Sequence, residues 1–344
     1  MNEPLRPMNL GEILDRTALL YRSRFLVFIG ISLIPTVVIL VLACGFFLLL
    51  SYAGLGMNAA PPTQSADTLA VLSILVLFLV AMPAYLVMTA LGTAAINQAS
   101  ARVPQEEGIS IYDAYKAVWQ LKWRYLWLYL LQVLIAWVAP FAVWAGLQVL
   151  TIYLAIVAQD AGMQNLAFKA VFGSAEALVG ASLIAYGLWI TMRLSLAFPA
   201  CAAERIGAWA AVRRSITLSN GTKGRIFVVY LLGAALHILL SMGITIPLVI
   251  AMYLFPWFND PQHSQTAGVI VLLVLYGSAF AAHAFTRPVY GIALTLFYYD
   301  QRIRQEGYDI ERMMDVAGLI APAPPPAGES PLASVPSIIE EGKL

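Results

Sequence analysis

Six long apolar runs, separated by shorter polar stretches, dominate the chain. A helix needs about 20 mostly apolar residues to cross the hydrocarbon core of a bilayer. The runs therefore predict six transmembrane helices and a fold class that is all-α, a polytopic membrane helix bundle. The predicted spans are residues 25–50, 68–96, 126–157, 174–200, 226–255 and 267–299.

A shorter segment with the spacing of an amphipathic helix precedes every second span. Apolar residues at i, i+3 and i+4, with basic residues opposite them, are typical of helices that lie at the inner membrane surface. The apolar positions are Leu10, Ile13, Leu14, Thr17 and Tyr21 in the first segment, Ile111, Tyr112, Tyr115, Val118 and Trp119 in the second, and, in a weaker pattern, Trp209, Val212 and Ile216 in the third.

The residues that follow these segments indicate an internal repeat. Arg24, Arg124 and Arg225 lie 100 and 101 residues apart, each at the start of an outward span. This spacing favours a threefold repeat of an interfacial helix, an outward span, a short turn and a returning span. The alternative is that any six-span protein has amphipathic approaches to its outward spans. A parallel repeat differs from the inverted repeats of many transporters, which argues against a transporter without excluding one.

Composition supports lipid as the solvent of this protein. Of its 344 residues, 60% are hydrophobic and 11% are charged, and the mean hydropathy is +0.78. Soluble domains have about 25% charged residues. The net charge of +1 gives no reason to expect a nucleic-acid partner. The two cysteines, Cys44 and Cys201, lie far apart in the sequence and indicate no disulfide framework.

Basic residues are concentrated in alternate connections between the spans. Seventeen of the 20 lie before the first span, between the second and third, between the fourth and fifth, or after the sixth. The positive-inside rule then predicts that both termini are cytoplasmic. Three regions follow: a cytoplasmic N-terminal interfacial helix in residues 1–24, a six-span membrane domain in residues 25–304, and a cytoplasmic tail in residues 305–344 that is proline-rich and largely disordered.

Two arginines lie within the predicted spans. Arg193 and Arg287 fall at similar depths near the inner edge, and Pro288 follows with the potential to kink its helix. Three interpretations remain open. The side chains extend to the interface and serve as anchors. They face a shared inner cavity and bind an anion such as a lipid phosphate. Or they pair with Glu204 or Asp300 at the inner surface.

Arg214, Lys223 and Arg225 complete the set of candidate lipid- or anion-binding residues. The stretch SNGTKGR that contains two of them lacks the spacing of a phosphate-binding loop, although contact with phosphate stays open. His237 and His283 are more typical of hydrogen-bonded core residues than of a relay or a metal site. We expect no metal and no cofactor, and we find no catalytic motif.

Three stretches together resemble a known family: MNLGEILDRTALLYRSRF near the start, RLSLAFPACAAERIGAWAAVRRSITLSNGTKGRIFVVYLL in the fourth and fifth spans, and LTLFYYDQRIRQEGYDIERMM after the sixth. The family is the membrane domain named after glycerophosphoryl diester phosphodiesterases, with its relatives among uncharacterised bacterial multi-pass proteins. The resemblance covers residues 8–314. Its matching positions are Arg193, Pro199, Glu204, Arg214, Ser215, Leu218, Gly221 and Arg225, then Tyr298, Tyr299, Asp300, Arg302, Arg304, Glu306, Gly307 and Asp309.

The resemblance implies a location in the bacterial cytoplasmic (inner) membrane. It also implies a companion of a phosphodiesterase rather than the enzyme, because this chain contains no barrel domain with acidic metal ligands. Our first hypothesis is a non-catalytic protein that binds anionic lipid headgroups at the cytoplasmic face or organises a membrane-protein partner. The second is a permease for a small or lipidic molecule. An intramembrane enzyme would need a cluster of acid, base or metal-binding residues that the sequence does not indicate.

Overall fold

The computed structural model describes residues 6–52, 64–102, 110–160, 166–260 and 264–316. All regular secondary structure in these ranges is helical, which confirms the all-α prediction. Six of the described helical segments are long and apolar enough to cross a membrane. The predicted outer turns and the tail beyond residue 316 lie largely outside the described residues.

The helices follow one another in a regular order. Their bounds are α1 Leu10–Ser23, α2 Phe25–Tyr52, α3 Gln64–Arg102, α4 Ile111–Gln120, α5 Lys122–Val133, a π-helical segment Leu134–Val138, α6 Ala139–Asp160, α7 Leu166–Leu194, α8 Ala197–Glu204, α9 Ala208–Leu218, α10 Lys223–Leu254, a 3-10 turn Pro256–Asn259, α11 Ser264–Glu306 and α12 Tyr308–Val316.

The element order repeats three times, as the spacing of the three arginines predicts. Each unit consists of a short helix (α1, α4 or α9) followed by two long helical segments. The two segments of the third unit are antiparallel, since Thr245 on α10 bonds Ser278 on α11 and Gly233 lies against Tyr290. The first unit is α1–α3, the second is α4–α8 and the third is α9–α11.

Each short helix packs on the preceding unit, and the first closes the ring. α4 packs on α2 and α3, α9 packs on α8 and α5, and α1 packs on α11 of the third unit. Tyr21 donates a hydrogen bond to the carbonyl oxygen of Phe285, and Tyr115 donates one to that of Ile31. The short helices therefore connect the three units into one bundle.

The short helices bury part of their predicted apolar faces and expose the rest. The buried positions are small or β-branched, such as Ile13, Ala114 and Val118. Tyr112, Trp119 and Trp209, which also belong to the predicted apolar faces, are exposed on the bundle. Each stands beside a cationic side chain instead: Lys116, Lys122 and Arg213, respectively. An aromatic ring beside a cation suits a membrane interface.

Small residues allow α3 and α11 to approach closely at the centre of the bundle. Ala90, Ala94 and Ala95 on α3 are fully buried. A Cβ atom at Gly291 of α11 would lie 2.3 Å from a methyl carbon of Ile96. Such close approach is the usual way that helices gain contact area where lipid removes the hydrophobic driving force between them. It places α3 beside the stretch of α11 that carries Arg287.

Candidate functional site

A cavity of about 470 Å³ lies between α3, α5, the π-helical segment, α7, α10 and α11. At one end it is closed by buried residues, among them Asn97, Phe198 and Leu294. At the other end its lining includes Met82, Tyr85 and Trp137, whose exposed fractions are 45%, 41% and 61%. The cavity is thus closed toward the basic end of the bundle. Its other end opens on the exterior of the bundle.

Among the described residues of the lining, Arg287 on α11 is the one cationic side chain, and it is only 9% exposed. Its Nη2 donates hydrogen bonds to the carbonyl oxygen of Thr89 and, over 2.7 Å, to Oγ1 of Thr93. No carboxylate of the described residues pairs with it. A buried charge without a counter-charge costs several kcal/mol.

The surroundings of Arg287 on α3 are shaped to admit the guanidinium group. A Cβ atom at Gly92 would lie 3.3 Å from both Nη1 and Nη2 of Arg287, and 2.9 Å from Cγ of Pro35. Only glycine leaves this space open. Thr93 also donates to the carbonyl oxygen of Thr89 over 2.8 Å, which fixes its hydroxyl as an acceptor for the arginine.

Three tyrosines surround the guanidinium group closely enough to interact with it electrostatically: Tyr85, Tyr115 and Tyr129. Burial raises the pKa of Tyr115, which lies on the short helix α4, to about 12. The Tyr115 phenol is therefore neutral at physiological pH. It supplies no negative charge to Arg287.

The break between α7 and α8 forms part of the cavity wall. The hydroxyl of Ser215 on α9 donates to the carbonyl oxygen of Arg193 over 2.6 Å and accepts from the backbone N–H of Leu196 over 3.1 Å. Gln132 donates to the carbonyl oxygen of Leu194 over 2.8 Å. At the break, backbone groups lose their partners within the helix, and these side chains bond them instead. Polar contacts therefore hold this part of the cavity wall.

Arg193 lies outside the cavity lining, so the structure does not bring it together with Arg287 there. Its guanidinium carbon is 4.7 Å from the centroid of the Trp189 ring, and Nζ of Lys223 is 5.4 Å from the same ring. Nε of Arg193 is buried without a hydrogen-bond partner among the described residues. Two of the predicted anion-binding residues therefore meet at the α7–α10 contact.

The other interpretations of Arg287 can be compared with this geometry. Its side chain ends inside the bundle and not at a surface, so the interpretation as an interfacial anchor is wrong for this residue. Pairing of Arg287 with Glu204 or Asp300 is also wrong, because each carboxylate binds other arginines. Pro288 lies within the continuous helix α11.

Asp300 is fully buried where the chain start meets α10 and α11. It accepts hydrogen bonds from the backbone N–H of Met8 over 2.7 Å, from Arg225 over 3.3 Å and from Arg304 over 3.0 Å. Both arginines also donate to the carbonyl oxygen of Met8. Arg225, predicted as an anion-binding residue, is thus bound to an internal carboxylate.

A second ion-pair cluster joins α8, α9 and α11. Glu204 accepts from Nε of Arg214 over 2.9 Å and from the hydroxyl of Tyr298. Glu306 accepts from Arg214 over 2.6 Å and from Nε of Arg302 over 3.1 Å. Hydrogen bonding to Glu306 and Glu204 raises the pKa of Arg214 above its usual value. Arg214 and Arg225 are therefore both paired with carboxylates of the protein itself.

The remaining residues of the predicted structural motif shape this same end. Pro199 is buried in α8, and Gly221 has a φ of +80°, a left-handed conformation that favours glycine in the turn before α10. The ring of Tyr299 stacks on that of Tyr308 at a centroid distance of 6.0 Å. These residues lie at the basic end of the bundle and do not line the cavity.

His237 and His283 lie edge to face, with ring centroids 6.1 Å apart. The hydroxyl of Thr286 is 3.4 Å from Nδ1 of His237, a long contact. Among the described residues no group of three or more histidine, cysteine or acidic side chains could hold a metal ion. Of the pair, His283 lines the cavity.

Sequence reasoning missed Gly92, Thr89 and the tyrosines as partners of Arg287. The signal in the sequence is the i, i+4 pair Thr89–Thr93 in a long apolar helix, with glycine between them. Polar residues of that kind are common in helix bundles. Thr89 and Thr93 differ from other such pairs because they bond Arg287 on α11. The sequence of α3 alone does not reveal this contact.

Comparison with known proteins adds no identification. No family model, no curated protein and no solved structure matches this chain. The resemblance to the phosphodiesterase membrane-domain family therefore stays a prediction, and the functional argument depends on the site itself.

Proposed function

We propose that this integral membrane protein is non-catalytic and binds the acidic headgroup of a membrane amphiphile, with Arg287 as the cation that holds it. The observation that supports this proposal is a buried arginine that lines a cavity and has no carboxylate partner among the described residues. The missing counter-charge is the feature that an anionic ligand would supply.

The chemistry of the cavity favours a phosphate or carboxylate group. Nη2 of Arg287 is engaged by Thr89 and Thr93, whereas Nη1 and Nε make no hydrogen bond with the described residues. Both bidentate edges of a guanidinium group include Nη2, so Nη1 and Nε offer separate charge-assisted N–H donors to an anion. An ion pair inside a low-dielectric bundle is stronger than one in water. The cavity therefore suits one small acidic group rather than a polyanion.

The setting of the protein belongs to the same proposal. The distribution of basic residues favours cytoplasmic termini, and the resemblance implies a bacterial cytoplasmic membrane. The proposal also allows a membrane-protein partner, which would contact the lipid bound at this site. No nucleic acid and no cofactor enters this account.

A permease for a small or lipidic molecule is the second candidate. The observation that favours it is the cavity itself, which connects an exposed opening with polar residues deep in the bundle, such as Asn97, Gln132 and Ser195. A permease requires a second conformation open at the opposite end. Uptake of a labelled amphiphile into proteoliposomes, faster than in protein-free vesicles, would favour this candidate.

Native mass spectrometry of gently purified protein tests the first proposal. Wild type is compared with Arg287→Ala and with Arg213→Ala, a control in which the removed arginine is exposed on α9 beside Trp209. We expect an anionic lipid bound to wild type and to Arg213→Ala, and at least tenfold less on Arg287→Ala. Equal retention by all three proteins would contradict the proposal.

A further inference from the structure

We infer that the ligand reaches the cavity from the side, head first, and that its apolar tail leaves through an opening lined by Met82, Tyr85 and Trp137. This inference rests on the proposed function. It adds the route by which the acidic amphiphile enters from the bilayer and the path that its tail takes.

The first support is the order of polar and apolar residues along the cavity. Thr93, which bonds Arg287, and Asn97, one turn further along α3, are polar. Met82 and Leu86 on the same helix are apolar. Thr93 lies 11 residues beyond Met82 on α3, which corresponds to about 16 Å along a helix. An amphiphile fits this order only with its head at Arg287 and its tail toward Met82.

The second support is the way the second unit separates from the rest of the bundle. α3 packs on both α5 and α11, and Arg287 on α11 bonds Thr89 and Thr93 on α3. Beyond the π-helical segment, α6 packs on α7 of its own unit. The opening therefore lies between the second unit, which carries Trp137, and the other two units, which carry Met82, Tyr85 and His283.

The π-helical segment contributes directly to the opening. It places Ala136 inside, where it is 4% exposed, and Trp137 beside it at the mouth. π-Helical segments in α-helices are frequent at functional sites because the extra residue turns side chains out of register. Here it presents a large aromatic side chain at the point where a tail would pass from the cavity to lipid.

The opening faces the sides of the bundle, where exposed apolar residues surround it. Leu79 and Val80 on α3 and Val138 and Phe141 on the second unit are exposed. A water-soluble anion would have to cross this apolar rim. An amphiphile would meet no such barrier, because its tail remains in contact with lipid throughout.

Photocrosslinking in vesicles tests the path. The probes are a long-chain fatty acid and a lysophosphatidic acid, each with a diazirine on the tail, a neutral monoacylglycerol with the same tail, and inorganic phosphate as an unlabelled competitor. The proteins are wild type, Arg287→Ala, Met82→Trp, which narrows the mouth, and Leu75→Trp, a control at an exposed position of α3 outside the cavity lining. Crosslinked residues are identified by mass spectrometry, and each variant is first checked for a single size-exclusion peak.

We expect the acidic probes to label the residues of the mouth, with labelling reduced at least fivefold in Arg287→Ala and Met82→Trp and unchanged in Leu75→Trp. The neutral probe should label the mouth weakly. Loss of labelling in Arg287→Ala without any effect of Met82→Trp, or labels confined to other surfaces, would overturn the path and leave the anion site standing. Competition by millimolar inorganic phosphate as effective as that by the acidic amphiphile would identify a free-anion site and overturn the amphiphile. Equal labelling of wild type and Arg287→Ala would overturn both proposals.

Discussion

Arg287 shows what a single residue contributes to this bundle and how far sequence reasoning reaches. From its charge and position, the sequence predicts an interfacial anchor, an ion pair or an anion site in a cavity shared with Arg193, and the structure shows Arg287 without Arg193 in the lining of a cavity. Its partners do not follow, because Thr89, Gly92 and Tyr129 lie about 160 to 200 positions away in the sequence and meet it only through the packing of α3, α5 and α11.

Gly92→Ala tests the space around the guanidinium group. The added methyl group would lie 2.9 Å from Cγ of Pro35 and 3.3 Å from Nη1 and Nη2 of Arg287, an overpacking that costs about 1–3 kcal/mol. We expect a lower thermal unfolding midpoint in detergent and weaker binding of an anionic amphiphile. Gly146→Ala is the matched control, since a Cβ atom there meets no other atom within 4 Å. Equal effects of the two substitutions would show that the gap at Gly92 has no special role.

At the scale of the elements, the apolar runs locate the spans because the thickness of the bilayer sets the number of apolar residues that a transmembrane helix needs. The predicted span 25–50 corresponds to Phe25–Tyr52, and 226–255 to Lys223–Leu254. The break within 174–200, between α7 and α8, was not predicted. It depends on Ser215, which lies on a different helix, so the local pattern contains no trace of it.

Ser215→Ala tests whether that hydroxyl holds the break. The substitution leaves a buried backbone N–H at Leu196 and a carbonyl oxygen at Arg193 without this partner. An unsatisfied buried group costs about 1–3 kcal/mol. We expect a clear loss of thermal stability in detergent. Thr217→Ala removes an exposed hydroxyl from the same helix and should change stability by a few tenths of a kcal/mol at most.

Asp300→Asn tests the connection between the start of the chain and the third unit. Arg225 and Arg304 would lose their buried counter-charge, and because their own side chains are 28% and 38% exposed the cost is smaller than for two fully buried partners. We expect faster hydrogen exchange in α1 than in wild type, because a neutral amide oxygen accepts the Met8 N–H more weakly than the carboxylate does. Asp15→Asn, at an exposed position of α1, should exchange as wild type does. Unchanged exchange in both variants would remove Asp300 from this role.

At the scale of the whole molecule, three units form a ring in which each short helix covers its predecessor. The order of elements within a unit could be predicted from the equal spacing of Arg24, Arg124 and Arg225. The closure of the ring could not, because the packing of α1 on α11 joins the two ends of the membrane domain and leaves no periodic signal. The cavity lies beside the second unit, so its position also depends on that arrangement.

Cysteine labelling in oriented vesicles tests the direction of the bundle. Single cysteines are introduced as Ser23→Cys, Asn220→Cys and Phe255→Cys, after the native Cys44 and Cys201 are replaced by alanine. Ser23 and Asn220 lie at the ends of short helices, and Phe255 follows α10 at the opposite end. We expect an impermeant maleimide to label the first two from the cytoplasmic side and the third from the other side. Labelling of all three from one side would contradict the six-span topology.

The most direct test of the central claim compares wild type with Arg287→Met in delipidated detergent and after addition of an acidic amphiphile. Methionine replaces the buried charge with an apolar side chain of similar length, which is neutral or stabilising where a charge lacks its partner. We predict that the variant is at least as stable as wild type without lipid. We also predict that the amphiphile raises the thermal unfolding midpoint of wild type alone, because a ligand stabilises only the protein that binds it. An equal rise in both proteins, or no rise in wild type, would contradict the assignment of Arg287 as the site of an anionic ligand.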